Sequence, residues 1–314
     1  MAFQGGIQPP PSWDPYGAPG LQPPSLFPQD PYFSSGLGSA FGIGTPATRL
    51  LREIRLEHHW FANTDPKPFG INDIDFYGTF AIPFLYNQQT PLLVTPGFSI
   101  HLWDGPITTP ADPADLPPVA YDAYLDAAWN PQVNPWLGGA LSVRVGVYSD
   151  FSKVVEDSLR LTGKGMAVLS FSPSFKITAG VWYLDRIRVK LMPAGGIIWT
   201  PSNDVRFDIL FPNPKFTKRI ATIGTTDWRV MLRGEYGGGN WTVKRAFAPM
   251  EGQIDNVDYN DIRVATGLEF DRTGGIHGMF EVGVAFEREI LYRSRMPERY
   301  LPTTTVFLGG AVAY

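Results

Sequence analysis

The sequence predicts an all-β chain, a transmembrane antiparallel β-barrel of about fourteen strands, with twelve also possible, behind a Pro/Gly-rich N-terminal arm. Three observations carry this prediction. Hydrophobicity alternates with a period of two from Arg52 onward, the alternating runs last about nine to fourteen residues, and the polar face mixes acids with arginines. Strands of soluble β-sandwiches average five or six residues, whereas strands that cross a bilayer need about nine to eleven. A membrane barrel is therefore favoured over a β-sandwich, which alternation alone also allows.

The first unit is the arm, residues 1–50. Its first 48 residues hold ten prolines and eight glycines but no lysine or arginine. Such a segment forms neither a helix nor a central strand. It is nevertheless rich in aromatic residues, among them Trp13, Tyr16, Tyr32 and Phe33. Two interpretations stay open: a flexible or polyproline-like spacer, and an arm that docks its aromatic side chains on a partner protein or inside the chain's own cavity.

The second unit is the barrel, residues 51–314. In the segment IHGMFEVGVAFERE, the even positions, such as Phe280 and Val282, are apolar, and the odd positions include His277, Glu281 and Glu287. Similar alternation predicts strands near 53–63, 73–84, 93–103, 119–130, 137–149, 163–173, 177–186, 190–199, 204–220, 226–237, 240–248, 259–271, 276–289 and 303–314.

Two segments are less regular than the rest. Pro212 and Pro214 interrupt 204–220, so this segment is either a kinked long strand or a hairpin. The glycines of GEYGGGNW, residues 234–241, predict a tight turn at 238–239. The first of these segments affects the strand count, which could change by two.

The predicted connections fall into two classes. Short links at 174–176, 200–203, 238–239 and 272–275 lie at one end. The other end has longer links at 64–72, 104–118, 150–162, 249–258 and 290–302, with 187–189 and 221–225 as short exceptions. Bacterial outer-membrane barrels have short periplasmic turns and longer external loops. We therefore expect both termini to be periplasmic, and we expect aromatic girdles at the membrane interfaces from residues such as Trp103, Trp129, Trp199 and Trp228.

Composition narrows the possible functions. A formal net charge of −4 and the absence of a basic stripe argue against nucleic acid as a partner. The absence of cysteine rules out thiolate catalysis and cysteine-ligated zinc. Adjacent His58 and His59 point to opposite faces of a strand, so they cannot form one two-histidine metal site. Asp255, Asp258 and Asp261 lack the glycine and closing glutamate of an EF-hand loop, so solvated loop charge is favoured over calcium. We predict no catalytic residues, no metal and no cofactor.

The C-terminal strand carries a further signal. Tyr314 ends the chain, and Val312, Leu308 and Val306 precede it at alternate positions. This pattern resembles the C-terminal insertion signal of bacterial outer-membrane proteins, which their barrel-assembly machinery reads. The resemblance implies a bacterial outer-membrane location, with outer-membrane lipid and the assembly machinery as partners.

Three segments carry a resemblance to a family: GVWYLDR at 180–186, PAGGIIWTPSNDVRFDILFPNPKF at 193–216 and GEYGGGNW at 234–241. Together with the last strand they resemble an uncharacterised family of bacterial outer-membrane barrels, frequent in planctomycete-type genomes and distantly similar to fatty-acid-transporter-like barrels. The resemblance implies a barrel in the outer membrane and brings no established activity. In the wider transporter-like group an N-terminal segment often folds into the lumen, and residues 1–48 could be its counterpart.

Charged residues on the polar face are the candidate functional residues. They belong to neighbouring strands, and we expect them to line the lumen: Asp227, Arg229, Arg233, Glu235, Asp261, Arg263, Glu269, Glu281 and Glu287. Two interpretations remain open, a water-filled pore lining that selects solutes and an ion-pair network that fills and rigidifies the barrel. The predicted function is a porin-like channel or transporter for small solutes. The alternative is a structural or assembly barrel that anchors a partner through residues 1–50.

Overall fold

The computed structural model describes residues 50–84, 87–109, 112–273 and 275–314. The arm and its aromatic residues Trp13, Tyr16, Tyr32 and Phe33 lie outside the described residues. The first strand begins at Leu51. Within the described ranges, no helix reaches the length and hydrophobicity that a membrane span requires.

The described residues form sixteen strands and one short 3-10 turn, Glu156–Ser158. Long strands dominate, and the longest have 19 residues. The strands are β1 Leu51–Phe61, β2 Gly70–Phe84, β3 Asn87–Asp104, β4 Val119–Trp129, β5 Gln132–Asn134, β6 Leu137–Ser149, β7 Leu159–Ser172, β8 Phe175–Tyr183, β9 Leu191–Ser202, β10 Val205–Phe211, β11 Lys215–Ile223, β12 Thr226–Lys244, β13 Ile254–Arg272, β14 His277–Tyr292, β15 Arg299–Tyr300 and β16 Thr305–Ala313.

Fourteen of these strands form one closed antiparallel wall. Each strand pairs with its neighbour in sequence, apart from the two short strands β5 and β15, which pair only with β6 and β14. The wall closes where β16 pairs with both β1 and β14. Closure removes the free sheet edges that would otherwise expose unpaired backbone groups. The predicted antiparallel β-barrel of about fourteen strands is confirmed.

The structure corrects the prediction for one irregular segment and decides between the two alternatives for the other. The predicted strands 226–237 and 240–248 are one continuous strand, β12, because Gly238 adopts φ 95° and pairs with Asn260 without a turn. The segment 204–220 is a hairpin, in which β10 and β11 flank the link 212–214. Proline has no backbone N–H to donate to a ladder, so Pro212 and Pro214 end the pairing there. The predicted turn at 238–239 does not exist, whereas the link at 212–214 adds a turn within a segment counted as one strand. The number of strands in the wall is therefore still fourteen.

Connections at the two ends of the barrel differ in length. One end, called the turn end below, has the links 85–86, 130–136, 173–174, 203–204, 224–225 and 273–276. The other end, called the loop end, has 62–69, 105–118, 150–158, 184–190, 212–214, 245–253 and 293–304. The chain enters β1 and leaves β16 at the turn end. The link after β11 therefore belongs with the short turns, and not with the longer links as the sequence suggested.

Side chains alternate between the two faces of the wall. In β1, Glu53, Arg55 and Glu57 are buried, whereas Ile54 and Leu56 between them are 41% and 47% exposed. The same alternation of charged-in and apolar-out holds in β13 and β14. An apolar exterior around a charged interior is the arrangement of a barrel that crosses a membrane.

An aromatic cluster fills the lumen at the loop end. Trp103 packs against Phe69 and Trp241 with ring centroids 6.4 and 5.2 Å apart. The prediction of Trp103 as an interfacial girdle residue is wrong, because its side chain faces inward and is 8% exposed. Trp199, by contrast, lies on the outer face and is 45% exposed.

The loop-end part of β12 contacts β6 across the lumen of the barrel. Thr242 pairs in parallel with Ser149 of β6, although β7 to β11 stand between these strands in the wall. Lys244 N donates to Asp150 Oδ2 over 2.8 Å. This contact brings opposite sides of the wall together and narrows the lumen at the loop end.

Candidate functional site

The lumen is the candidate site, because eight of the nine predicted residues project into it. Central members are buried: Arg233, Glu235, Asp261, Arg263 and Glu281 are each at most 7% exposed. Nearer the turn end, Glu269 is buried, while the side chains of Asp227 and Arg229 are 19% and 14% exposed. Neighbouring strands thus form one charged inner face, with acids and arginines interleaved.

Glu287 departs from this pattern. It has φ 49°, a left-handed conformation that interrupts the alternation of β14, and its side chain is exposed. Arg288 takes the inward position instead. Its guanidinium donates to Tyr259 Oη at 2.9 Å and to the carbonyl of Phe69 at 2.7 Å. A period-two pattern cannot locate such a bulge, so Glu287 was assigned to the wrong face.

Ion pairs connect the central residues. Arg233 donates from Nε to Glu281 Oε2 at 2.7 Å and from Nη1 to Glu235. Arg263 donates from Nε to Asp261 Oδ1 at 2.9 Å. These side chains contact one another and not an open water-filled channel. Buried charges require such partners, because removing a charge from water is costly unless an opposite charge replaces the water.

A second buried cluster was not predicted. His101 lies between two carboxylates, with Nδ1 2.7 Å from Asp73 Oδ1 and Nε2 3.1 Å from Asp122 Oδ2. Trp241 Nε1 donates to Asp122 Oδ1 at 2.6 Å and thereby joins β12 to β4 across the lumen. The sequence signal was weak, because these four residues come from four strands, β2, β3, β4 and β12.

A loop closes the loop end above the aromatic cluster. Asp115, from the link 105–118, is 2% exposed and accepts hydrogen bonds from the Arg245 side chain and from Ala246 N at 2.7 Å. Tyr292 Oη donates to the carbonyl of Asp115 at 3.1 Å. Together these contacts hold the link over the lumen.

Two of the cavities between the described side chains of the lumen are small. One, of about 10 Å³, is lined by residues that include His59, Asp75 and His101. The other, of about 40 Å³, is lined by residues that include Arg160 and Arg186. A single water molecule needs about 10–15 Å³, so neither cavity forms a solute-sized passage.

Three buried side chains could hold a metal ion. Glu57 and His59 lie on β1 and Asp75 on β2, and one donor atom from each lies within 4.8 Å of the others. As predicted, His58 and His59 face opposite sides of the wall. This group was not predicted, because its three residues lie on two strands and only one of the two adjacent histidines belongs to it. The available signal was the Glu-x-His spacing on one face of β1 beside an acid-rich β2.

The three aspartates of residues 255–261 are not solvated loop charges. They lie within β13 and are buried, each with its own partners. Asp255 pairs with Arg245, Asp258 accepts from the backbone N–H of Ile187, and Asp261 pairs with Arg263. Because their partners differ, the structure does not bring the three carboxylates together around one cation.

The C-terminal residues lie at the seam of the barrel. Tyr314 N donates to Ile54 O at 3.0 Å, and Ile54 N donates to Tyr314 O at 2.9 Å. The side chains of the predicted assembly signal are all exposed: Val306 53%, Leu308 52%, Val312 43% and Tyr314 68%. The last residue is therefore tied into the sheet, while the role of this strand in assembly stays a prediction.

Comparisons with known proteins show only loose likenesses. No protein-family model matches the chain, and no curated protein matches it. The resemblance to the planctomycete-type family therefore stays a prediction. Among solved structures, a bacterial polysaccharide outer-membrane secretin is similar with a TM-score of 0.37 at 10% identity, covering 85% of this chain and 99% of that one. Omp33 of Acinetobacter baumannii is similar with a TM-score of 0.27 at 9% identity, covering 86% and 99%. At these scores neither similarity bears on the function of this chain.

Proposed function

We propose that this chain is a bacterial outer-membrane β-barrel that serves as a closed membrane anchor, with residues 1–50 as the segment that binds a partner protein. The observation that carries the proposal is the buried, paired state of the inner face. Arg233, Glu281 and their neighbours contact one another, and a water-filled pore would leave such side chains exposed to solvent.

Two further features support a closed barrel. The Trp103–Trp241 cluster and the Asp115 link fill and cover the loop end. The contact between Thr242 and Ser149 brings opposite walls together. The apolar exterior supports the membrane location, and the short turns at the end where the chain enters β1 and leaves β16 support a periplasmic placement of that end.

A transport function is the second candidate, and the chemistry of the inner face favours it. Acids and arginines along the lumen are the residue types that select solutes in pores. In this proposal the ion pairs described above would have to separate for the barrel to conduct. Passage of small solutes would then require a change of state.

Planar-bilayer conductance tests the two proposals. The purified full-length protein is compared with a version that lacks residues 1–48, with insertion confirmed by protection from protease. The anchor proposal expects no stepwise conductance from either protein. Conductance in both would contradict it and support an open channel, whereas conductance only in the truncated protein would identify the arm as a plug. Crosslinking in cells then tests whether a partner is captured by the full chain and lost with residues 1–48.

A further inference from the structure

Two buried carboxylates face each other across the first hairpin of the barrel. Glu57 on β1 and Asp75 on β2 are directly opposite in register, 3% and 7% exposed. His59, on the same face of β1, is opposite Asp73. Like charges in directly opposed positions destabilise a sheet, and burial makes the repulsion worse. Arg55 offsets part of this cost through its contact with Glu57, and a further positive charge beside Asp75 would offset the rest.

Each of the three side chains in this group keeps one donor atom without a protein partner in the described part of the chain. Both contacts of Glu57, with Arg55 and with the Tyr77 hydroxyl, use Oε1. Asp75 accepts from Ser99 through Oδ1. His59 has Nε2 3.3 Å from Glu281 Oε1, which leaves Nδ1. The remaining donor set is two carboxylate oxygens and one imidazole nitrogen.

Arg55 pairs with Glu57, but the neighbouring aspartates have no arginine or lysine at ion-pair distance among the described residues. Asp73, Asp75 and Asp122 line the small cavity beside His59, and none of the three has a lysine or arginine within 4.0 Å among the described residues. The two arginines that line the same cavity are engaged elsewhere: Arg144 pairs with Asp126 and Arg263 with Asp261. Within the described part of the chain, His101 pairs with Asp73 and Asp122, and Arg263 acts on Asp73 from a longer distance.

We propose that Glu57, His59 and Asp75 bind one divalent first-row transition-metal cation, such as Zn²⁺, inside the barrel. Imidazole nitrogen with carboxylate oxygen is an established ligand set for such ions. One donor atom from each side chain lies within 4.8 Å of the others, and binding an ion about 2.0–2.2 Å from each donor would draw the three side chains closer together. The adjacent cavity of about 10 Å³ has room for a water molecule as a further ligand.

The bound ion would link β1 to β2 and neutralise the opposed carboxylates. This proposal does not depend on whether the barrel is an anchor or a channel, because the three ligands come from the wall itself.

Metal content of the folded protein tests the proposal. Full-length protein in detergent is stripped with a chelator, loaded with Zn²⁺ and separated from free metal by gel filtration. We expect about one Zn²⁺ per chain by elemental analysis, and X-ray absorption spectra that show one imidazole in the first coordination sphere. Fewer than about 0.2 Zn²⁺ per folded chain would overturn the proposal and imply that protons neutralise the carboxylates.

Two conservative variants locate the site. We expect His59→Gln and Asp75→Asn each to weaken Zn²⁺ binding at least about tenfold in competition with a chromogenic chelator. His58→Gln is the matched control, since His58 is adjacent to His59 on β1 but lies on the outer face. The Zn²⁺ affinity of this variant should equal that of the wild type. Unchanged binding in both variants would place the metal elsewhere. If a variant does not fold, the X-ray absorption spectrum of the Zn²⁺-loaded wild-type protein tests the site, because a spectrum without an imidazole ligand would overturn the proposal.

Discussion

Arg233 shows how single side chains organise the inside of this barrel. Its guanidinium contacts Glu235 on its own strand and Glu281 two strands away, and neither carboxylate is more than 5% exposed. Pairs of this kind add little net stability compared with apolar residues of the same size, because desolvation offsets the attraction. Breaking one is costly, however, since the remaining charge is buried without its partner. The network therefore specifies one arrangement of the strands more than it adds stability.

The first prediction concerns this pair. Glu281→Gln should lower the free energy of unfolding by about 3–5 kcal/mol, because it leaves Arg233 buried with one carboxylate fewer. Urea unfolding in lipid vesicles, followed by tryptophan fluorescence, measures the loss. Glu287→Gln is the control, since Glu287 is exposed, and a change within about 0.5 kcal/mol is expected there. Equal effects of the two substitutions would contradict the role of the network.

At the scale of elements, β12 has the largest influence on the shape of the barrel. Its 19 residues pair with β13 along their whole length, and its loop-end part reaches β6. Gly238 permits this course. A Cβ there would lie 1.9 Å from the carbonyl oxygen of Tyr259, and φ is 95°, a conformation that side chains other than glycine rarely adopt. The glycines that suggest a turn in the sequence therefore serve a bent but continuous strand.

The second prediction follows from this geometry. Gly238→Ala should destabilise the barrel by at least about 1–3 kcal/mol, from backbone strain and the close approach to Tyr259. Gly165→Ala is the matched control in another strand, because the nearest atom to its Cβ would be Leu141 Cδ2 at an ordinary 3.7 Å. The midpoint of urea unfolding measures both. An unchanged midpoint for Gly238→Ala would contradict the strained, closely packed backbone of β12 at this residue.

At the scale of the whole molecule, the outer surface of the wall is apolar, whereas its interior is charged. Outward side chains of adjacent strands form a continuous apolar surface, as where Val282 of β14 lies beside Leu308 of β16, 50% and 52% exposed. Such a large exposed apolar surface is stable only against lipid or another apolar partner. The closed wall leaves no free strand edge within that surface.

The third prediction tests this surface. Val282→Arg should cost about 2–4 kcal/mol in a bilayer, because it places a charge among lipid chains near the middle of the wall. Val154→Arg is the control, since Val154 is similarly exposed at 54% but lies in the link 150–158 at the loop end. Folded fractions in vesicles, read from gel mobility without heating, compare the two. A small effect at Val282 equal to that at Val154 would argue against lipid contact.

Much of the candidate site follows from alternation, because inward residues of one strand share a face. Arg233, Glu235, Asp261 and Arg263 are assigned to the lumen by this rule alone. The rule fails at Glu287, where a bulge changes the face. It also cannot tell a pore lining from a packed network, because that depends on which residues from distant strands meet.

The sequence by itself determined the period-two pattern and the barrel class, since these depend on local alternation. Only the tertiary structure decided where the strands end around Gly238 and Pro212, because there glycine and proline have several compatible conformations. It also decided that the lumen is filled. The contacts of Trp241 with Asp122, and of Thr242 with Ser149, join residues more than 90 positions apart, and their formation depends on the curvature of the closed wall.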